Sequence, residues 1–175
     1  LSEPNILEIR EALIALSHGE NGGKRMSYFA PWTSNEILKK SSVDFIISQA
    51  VLEHVDDLQI TYQIMNRWLK KGGYSSHQVD FKSHGYAKLW YGHWCYSDFK
   101  WKVIKGKRPY LLNREPLSTH LTMQPNYGFE VLNVLRIRSA TPALREKLAK
   151  KFANISEEDL ITSSAYIFAV KRDEV

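Results

Sequence analysis

The sequence predicts an α/β protein with a largely parallel sheet. Short runs rich in β-branched and aromatic residues alternate with segments of helical periodicity, and capping or turn residues punctuate the changes. The length of 175 residues, with 43% hydrophobic and 25% charged, suits one domain with a sizeable core. That composition excludes a disordered chain, a collagen and a disulfide scaffold. No apolar run approaches the ~18 residues of a spanning helix, so an integral membrane protein is not expected. No charged-then-apolar leader with a small-residue cleavage site opens the chain. A lone Cys95 cannot form an internal disulfide, which points to a reducing compartment, the cytoplasm. The chain starts at Leu1 instead of Met, consistent with removal of residues upstream.

Ser2 and Pro4 open a first helix, with Ile6, Ile9, Leu13 and Leu16 at helical spacing; His18-Gly19 and Asn21-Gly22-Gly23 end it. Arg25 to Phe29 reads as a short strand closed by Pro31, and Ser34 caps a brief helix to Lys40. Val43 to Ser48 is a short, mostly apolar strand of the kind buried in parallel sheets. Asp56 or Asp57 caps an amphipathic helix with Leu58, Tyr62, Met65 and Leu69 on one face, stopped by Lys70-Lys71-Gly72-Gly73. Strands follow at Tyr74 to Phe81, Phe129 to Arg138 and Ala165 to Lys171. Between the last two, Thr141-Pro142 opens a helix carrying Leu144, Leu148 and Phe152, and Ser156 starts a capping-box turn. The whole of 1–175 is read as one domain, with an insertion over 83–124 that is longer than passive loops run.

Charge is concentrated in that insertion. Lys82 to Arg114 holds eight Lys/Arg against the single acid Asp98, together with Trp90, Trp94, Trp101 and four tyrosines. Basic residues among aromatics can serve an anionic small molecule, nucleic acid or a membrane surface. They equally describe a flap whose rings pack inward while the lysines stay in water.

The run Val43-Asp44-Phe45-Ile46-Ile47-Ser48-Gln49-Ala50-Val51-Leu52-Glu53-His54-Val55-Asp56-Asp57 resembles the fourth strand and following turn of class I S-adenosylmethionine-dependent methyltransferases. Met65-Asn66-Arg67-Trp68-Leu69-Lys70-Lys71-Gly72-Gly73 is similar to that family's turn into strand five, with Lys71 where proline is usual. Tyr127-Gly128-Phe129 resembles the entry to strand six, and Ala165 to Lys171 the final antiparallel strand. The resemblance spans Arg25 to Lys171 and implies a partial Rossmann-like methyltransferase sheet, strands three to seven, with a helical aromatic-rich insertion. It departs from the family in one large respect: no glycine-rich loop follows a first strand, and no acidic residue ends a second. The implied protein is the C-terminal portion of a methyltransferase, and the chain alone is expected to bind its cofactor poorly.

By the resemblance, Ser48, Gln49 and Ala50 lie against the methionine end of S-adenosylmethionine. Ala30 and Pro31 occupy the adenine loop, with Phe29-Ala30 where the family often has an acid and alanine, leaving at most a backbone contact. Placement at the carboxyl end of a parallel strand supports the Ser48–Ala50 assignment. His54, His77 and His84 are candidate bases, because imidazole titrates near neutrality and an oxygen acceptor must lose a proton. Each also has a purely packing or hydrogen-bonding alternative. His77, His84, His93, Cys95 and His120 match no zinc spacing, so no metal is expected.

The expected activity is methyl transfer to a small-molecule, sugar or lipid-linked acceptor, with an anionic one suiting Lys100 to Arg114. Trp94 to Trp101 and Leu112-Asn113-Arg114 resemble segments of methyltransferases from bacterial polysaccharide and lipid pathways. The alternatives are a non-catalytic methyltransferase-like binding domain and a nucleic-acid binder using the insertion. An unpaired sheet edge would favour a homodimer.

Overall fold

A computed structural model describes residues 3–20, 26–29 and 36–173. The chain falls into two compact units, Leu1–Ile37 and Leu38–Val175.

In the first unit, α1 (Glu3–Ser17) forms where the periodicity predicts. Gly19, at φ +77°, supplies the left-handed residue beyond its end. The described residues 26–29 carry no strand, contrary to the Arg25–Phe29 expectation. Ser2, Gly22 and Gly23 lie outside the described residues, as do Ala30 and Pro31.

The second unit is built on a sheet of four strands among the described residues, in the order β1 (Val43–Gln49), β2 (Leu69–Asp80), β4 (Thr162–Lys171), β3 (Phe129–Arg138). β1 and β2 are parallel, Phe45 opposite Tyr74 and Gln49 opposite Gln78. The two remaining pairings are antiparallel, with Gln78 opposite Tyr166 and Tyr166 opposite Leu135. Residues 36–40, read as the end of a brief helix, contain turns and bends only.

The β1-to-β2 crossover is α2 (Leu58–Trp68), whose first turn is closed by Asp57 accepting from the Ile60 N–H at 3.0 Å. Leu58, Tyr62 and Met65 are buried with Leu69, Val79 and Ile167, each worth roughly 1.5–3 kcal/mol. Gly72 takes φ +77°. A Cβ on Gly73 would lie 2.9 Å from the Lys70 carbonyl oxygen and 3.1 Å from that of Asp44, so the second glycine lets the turn close against β1. At the C-terminus of α2, the fully buried Lys171 ammonium donates to the carbonyls of Asn66 (2.8 Å) and Leu69 (2.9 Å).

The opposite sheet face is apolar and open. Phe45, Ile47, Tyr74, Tyr166, Phe168, Leu135 and Ile137 are exposed there, and Tyr74 stacks on Phe168 at 5.4 Å. No helix among the described residues is long and apolar enough to cross a membrane.

Two expected helices are corrected. Over 83–110 helix is confined to a single 3₁₀ turn, Gly92–Cys95, and to α3 (Asp98–Lys105), begun by Ser97 and stopped at Gly106. α4 (Leu117–Asn126) follows. The rings do turn inward: Trp94 and Trp101 are buried, while Lys100 and Lys102 are exposed. Trp90 is half-buried and donates to the Thr141 carbonyl at 2.7 Å. The predicted helix after Pro142 is instead two 3₁₀ turns, Arg145–Lys147 and Lys150–Phe152. The Ala149 N–H is drawn away to the Trp94 carbonyl at 2.9 Å, which interrupts any i→i−4 ladder while still burying Phe152. The Ser156 box forms as expected and starts α5 (Glu157–Ile161), with Asp159 as its reciprocal partner.

Candidate functional site

The carboxyl ends of β1 and β2 bring together most of the residues that sequence singles out. Ser48 Oγ lies 2.8 Å from His77 Nδ1. His77 is 1% exposed, and burial pushes its pKa down to about 4, so it stays a neutral partner inside the sheet. Its Nε2 has no hydrogen-bond partner. His120, also buried and held to a pKa of about 3 mainly by burial, bonds through Nδ1 to the Tyr62 hydroxyl at 2.9 Å. His77 therefore sits on the packed side of the sheet, behind Ser48.

Ala50 takes φ +52°, costly for a residue with a Cβ and of the kind found at binding turns. Gln78 holds it there: the Ala50 N–H donates to the Gln78 carbonyl at 3.0 Å and to Gln78 Oε1 at 3.1 Å. Gln78 Nε2 in turn donates to Ser164 Oγ at 2.8 Å. Sequence reading missed Gln78, whose only signal is its register beside Gln49.

Beyond Ala50, a 3₁₀ turn (Leu52–His54) points Glu53 inward and leaves His54 partly exposed. Glu53 is 4% exposed; its Oε1 accepts the Asp80 N–H at 3.3 Å, and its Oε2 is buried without a partner. Burial raises the Glu53 pKa. The insertion is tied onto this turn. The Asn113 N–H donates to the Glu53 carbonyl at 2.8 Å, and Asn113 Nδ2 to those of Leu52 (2.7 Å) and Val55 (3.1 Å). His54 Nδ1 lies 2.9 Å from the Tyr110 carbonyl.

His84 follows β2 at φ +46°, its ring centre 5.1 Å from that of His54 and its Nε2 3.5 Å from Asp80 Oδ2. Glu53, His54 and His84 each offer a ligand atom within 4.8 Å of the others, the one such group among the described residues. His93, Cys95 and His120 are not part of it. A cavity of about 480 Å³ opens beside the insertion, lined by Asp56, Gln59, Trp101, Lys105 and Asn113 among others. Lys105 is ion-paired with Asp56 at its wall.

For S-adenosylmethionine these residues fit one end of the ligand. The strained Ser48–Ala50 turn lies where a parallel sheet binds ligands. The glycine loop and the acid that the resemblance calls for are not recognised in the sequence, and Gly22 and Gly23 lie outside the described residues.

A family model described as a methyltransferase domain matches residues 10–76. No curated protein matches the chain. Among solved structures, the chain is similar to an S-adenosylmethionine-dependent methyltransferase from Mesorhizobium loti, with TM-score 0.52 and 13% identity over 92% of this chain and 76% of that one. It is equally similar to an S-adenosylmethionine-dependent methyltransferase from Methanosarcina mazei, with TM-score 0.52 and 16% identity over 93% and 76%. The [4+2]-cyclase SpnF shares the fold at TM-score 0.50 and 17% identity over 92% and 60%. At these identities the likeness is one of fold.

Proposed function

We propose that this chain is a class I S-adenosylmethionine-dependent methyltransferase and that residues 38–173 form its acceptor side, a reading supported by the methyltransferase-domain match over residues 10–76. The acceptor is a hydroxyl-bearing small molecule, sugar or lipid-linked sugar. The observation that carries this is the convergence of the Ser48–Ala50 turn, His54 and His84 under a basic, aromatic insertion.

The bound cofactor supplies an electrophilic methyl group. The protein's task is then to place an oxygen in line with it and to take that oxygen's proton. His84 is the base: it is accessible, and Asp80 beside its Nε2 stabilises the imidazolium that forms. His54, fixed by the Tyr110 carbonyl, walls the same space. Ser48 and Ala50 hold the cofactor's methionine end, with His77 and Gln78 fixing them from behind. Lys100 and Lys102, exposed on α3, suit an anionic acceptor. β1 forms one edge of the sheet among the described residues, and with the open apolar face it favours self-association.

The test is methylation of hydroxylated sugars and lipid-linked sugars with methyl-labelled S-adenosylmethionine at saturating concentration. Transfer should occur and should fall about 10²–10⁴-fold in His84→Ala, the usual worth of a general base. Undiminished transfer in that variant removes His84 from the chemistry. Cofactor binding without transfer to any acceptor favours the non-catalytic binding domain, which the missing glycine loop also suits.

A further inference from the structure

We infer that Glu53, His54 and His84 form a binding site for a single divalent transition-metal ion such as zinc. Their ligand atoms lie within 4.8 Å of one another. A tetrahedral ion about 2.1 Å from each donor needs them about 3.4 Å apart, so a modest rotation of His84, the exposed member, closes the site.

Two further observations point to a cation. Glu53 is a carboxylate at least nine-tenths buried, with Oε1 satisfied by the Asp80 N–H and Oε2 left with no partner. A buried carboxylate oxygen without a donor is costly, and a cation removes that cost. His54 is also set as a ligand. A carbonyl oxygen can only accept, so at 2.9 Å from the Tyr110 carbonyl Nδ1 carries the hydrogen, leaving the Nε2 lone pair free. Metal-binding histidines are oriented in this way, the second ring nitrogen donating to a carbonyl or carboxylate. His84, held at φ +46° beside Gly85, brings a second imidazole ring to 5.1 Å from the first.

Two imidazoles and a carboxylate suit zinc or ferrous iron over magnesium or calcium, which prefer all-oxygen sites. Three protein ligands leave one position open in a tetrahedral site, as in catalytic zinc centres. That position can take water or an oxygen of the acceptor, and in this respect the inference rests on the methyl-transfer reading; metal binding itself does not. With the ion bound, His84 is a ligand, and the ion would take over from the free imidazole the task of easing loss of the acceptor's proton.

The 175-residue chain, freed of metal by chelator, is titrated with zinc chloride by calorimetry and with cobalt(II) chloride by visible absorption, without S-adenosylmethionine or acceptor. One ion per chain is expected, with a cobalt spectrum lacking thiolate charge-transfer bands. His84→Ala, at an exposed position, should weaken zinc binding more than about 100-fold, beyond the ~10–100-fold that changes to a ligand's outer partner give. Glu53→Gln, which keeps the oxygen bonded to Asp80, should weaken it comparably. Cys95→Ser and His18→Ala should bind as the parent does. Absence of binding by the folded parent, or equal affinity in the parent and His84→Ala, overturns the site. Either failure leaves the methylation assay untouched, and a metal-loaded chain that transfers no methyl group defeats only the methyl-transfer reading.

Discussion

Replacing Arg114 with alanine should loosen the insertion from within and against Phe152. The Arg114 guanidinium is buried, yet Nη1 donates to the Tyr96 carbonyl at 2.8 Å and the His93 carbonyl at 3.4 Å, and Nη2 to Asp98 at 2.5 Å. Its charge lies 5.0 Å from the Trp101 ring centre and 5.1 Å from that of Phe152. One well-formed bond from a charged donor contributes ~1.5–3 kcal/mol, and each ring contact ~0.5–1 kcal/mol. Asp98 is 69% exposed, so that pair adds at most ~1 kcal/mol. Relief from burying the charge offsets part of the total, leaving a net loss of about 3 kcal/mol against the 5–15 kcal/mol of a typical domain. Urea unfolding followed by tryptophan fluorescence reads this directly, since Trp94 and Trp101 both touch the arginine's surroundings. Arg114→Lys should recover less than half, because one ammonium cannot span the Tyr96 carbonyl and Asp98 as a planar fork does. A loss below about 1 kcal/mol, or full rescue by lysine, would refute the reasoning.

Three other outcomes are expected. His77, His93 and His120 are held neutral in the fold, at pKa values of about 4, 3 and 3, below the ordinary 6.5. The unfolded chain binds their protons first, so stability is complete above about pH 6.5 and each histidine removes roughly 1 kcal/mol per pH unit below it. Glu53, whose pKa burial raises, runs the other way and offsets part of this fall. Melting temperature measured from pH 7.5 to 5 should therefore fall steadily, and a flat profile would contradict the burial assigned to these rings. Gly73→Ala places a Cβ 2.9 Å from the Lys70 oxygen and should cost ~1–3 kcal/mol in thermal unfolding; an unchanged melt would mean the turn is looser than described. Calorimetric titration of the chain with S-adenosylmethionine should give a Kd in the hundreds of micromolar or weaker, since two or three charged hydrogen bonds of ~1.5–3 kcal/mol each are missing. Low-micromolar, one-to-one binding would show a cofactor loop that the residue pattern conceals.

The elements that sequence reading placed well are those with strong local codes. Val43–Ser48 is a mostly apolar run, α2 has an Asp57 cap and a regular buried face, and Lys70–Gly73 announces its own turn. The segment after Pro142 shows why others failed. Its helical spacing is real, but a single long-range bond from Ala149 to Trp94 decides its backbone, and that contact has no local signature. Residues 83–110 likewise take their course from Arg114, which bonds the Tyr96 carbonyl and whose own carbonyl accepts from Trp94, contacts with no local signature. At the site, His54 and His84 were each visible as titratable groups, but their meeting with Glu53 depends on β1 and β2 lying side by side in register. Gln78 was invisible because glutamine in a strand carries no chemistry until its neighbour needs a clamp.

The buried Lys171 sets an order of events during synthesis. It closes the carbonyls of Asn66 and Leu69, which precede it by 105 and 102 residues, and Asn66 further donates to the Asp173 carbonyl at 2.8 Å. A ribosome that has released α2 has yet to make the side chain that finishes it. Until β4 emerges, the nascent crossover keeps open polar ends beside its apolar face, and contacts so distant in sequence slow folding. The domain is thus poised to fold late and all at once, and a stop codon shortly before residue 171 would abort the whole unit, leaving chaperones to hold a chain whose α2 carbonyls have no closing partner.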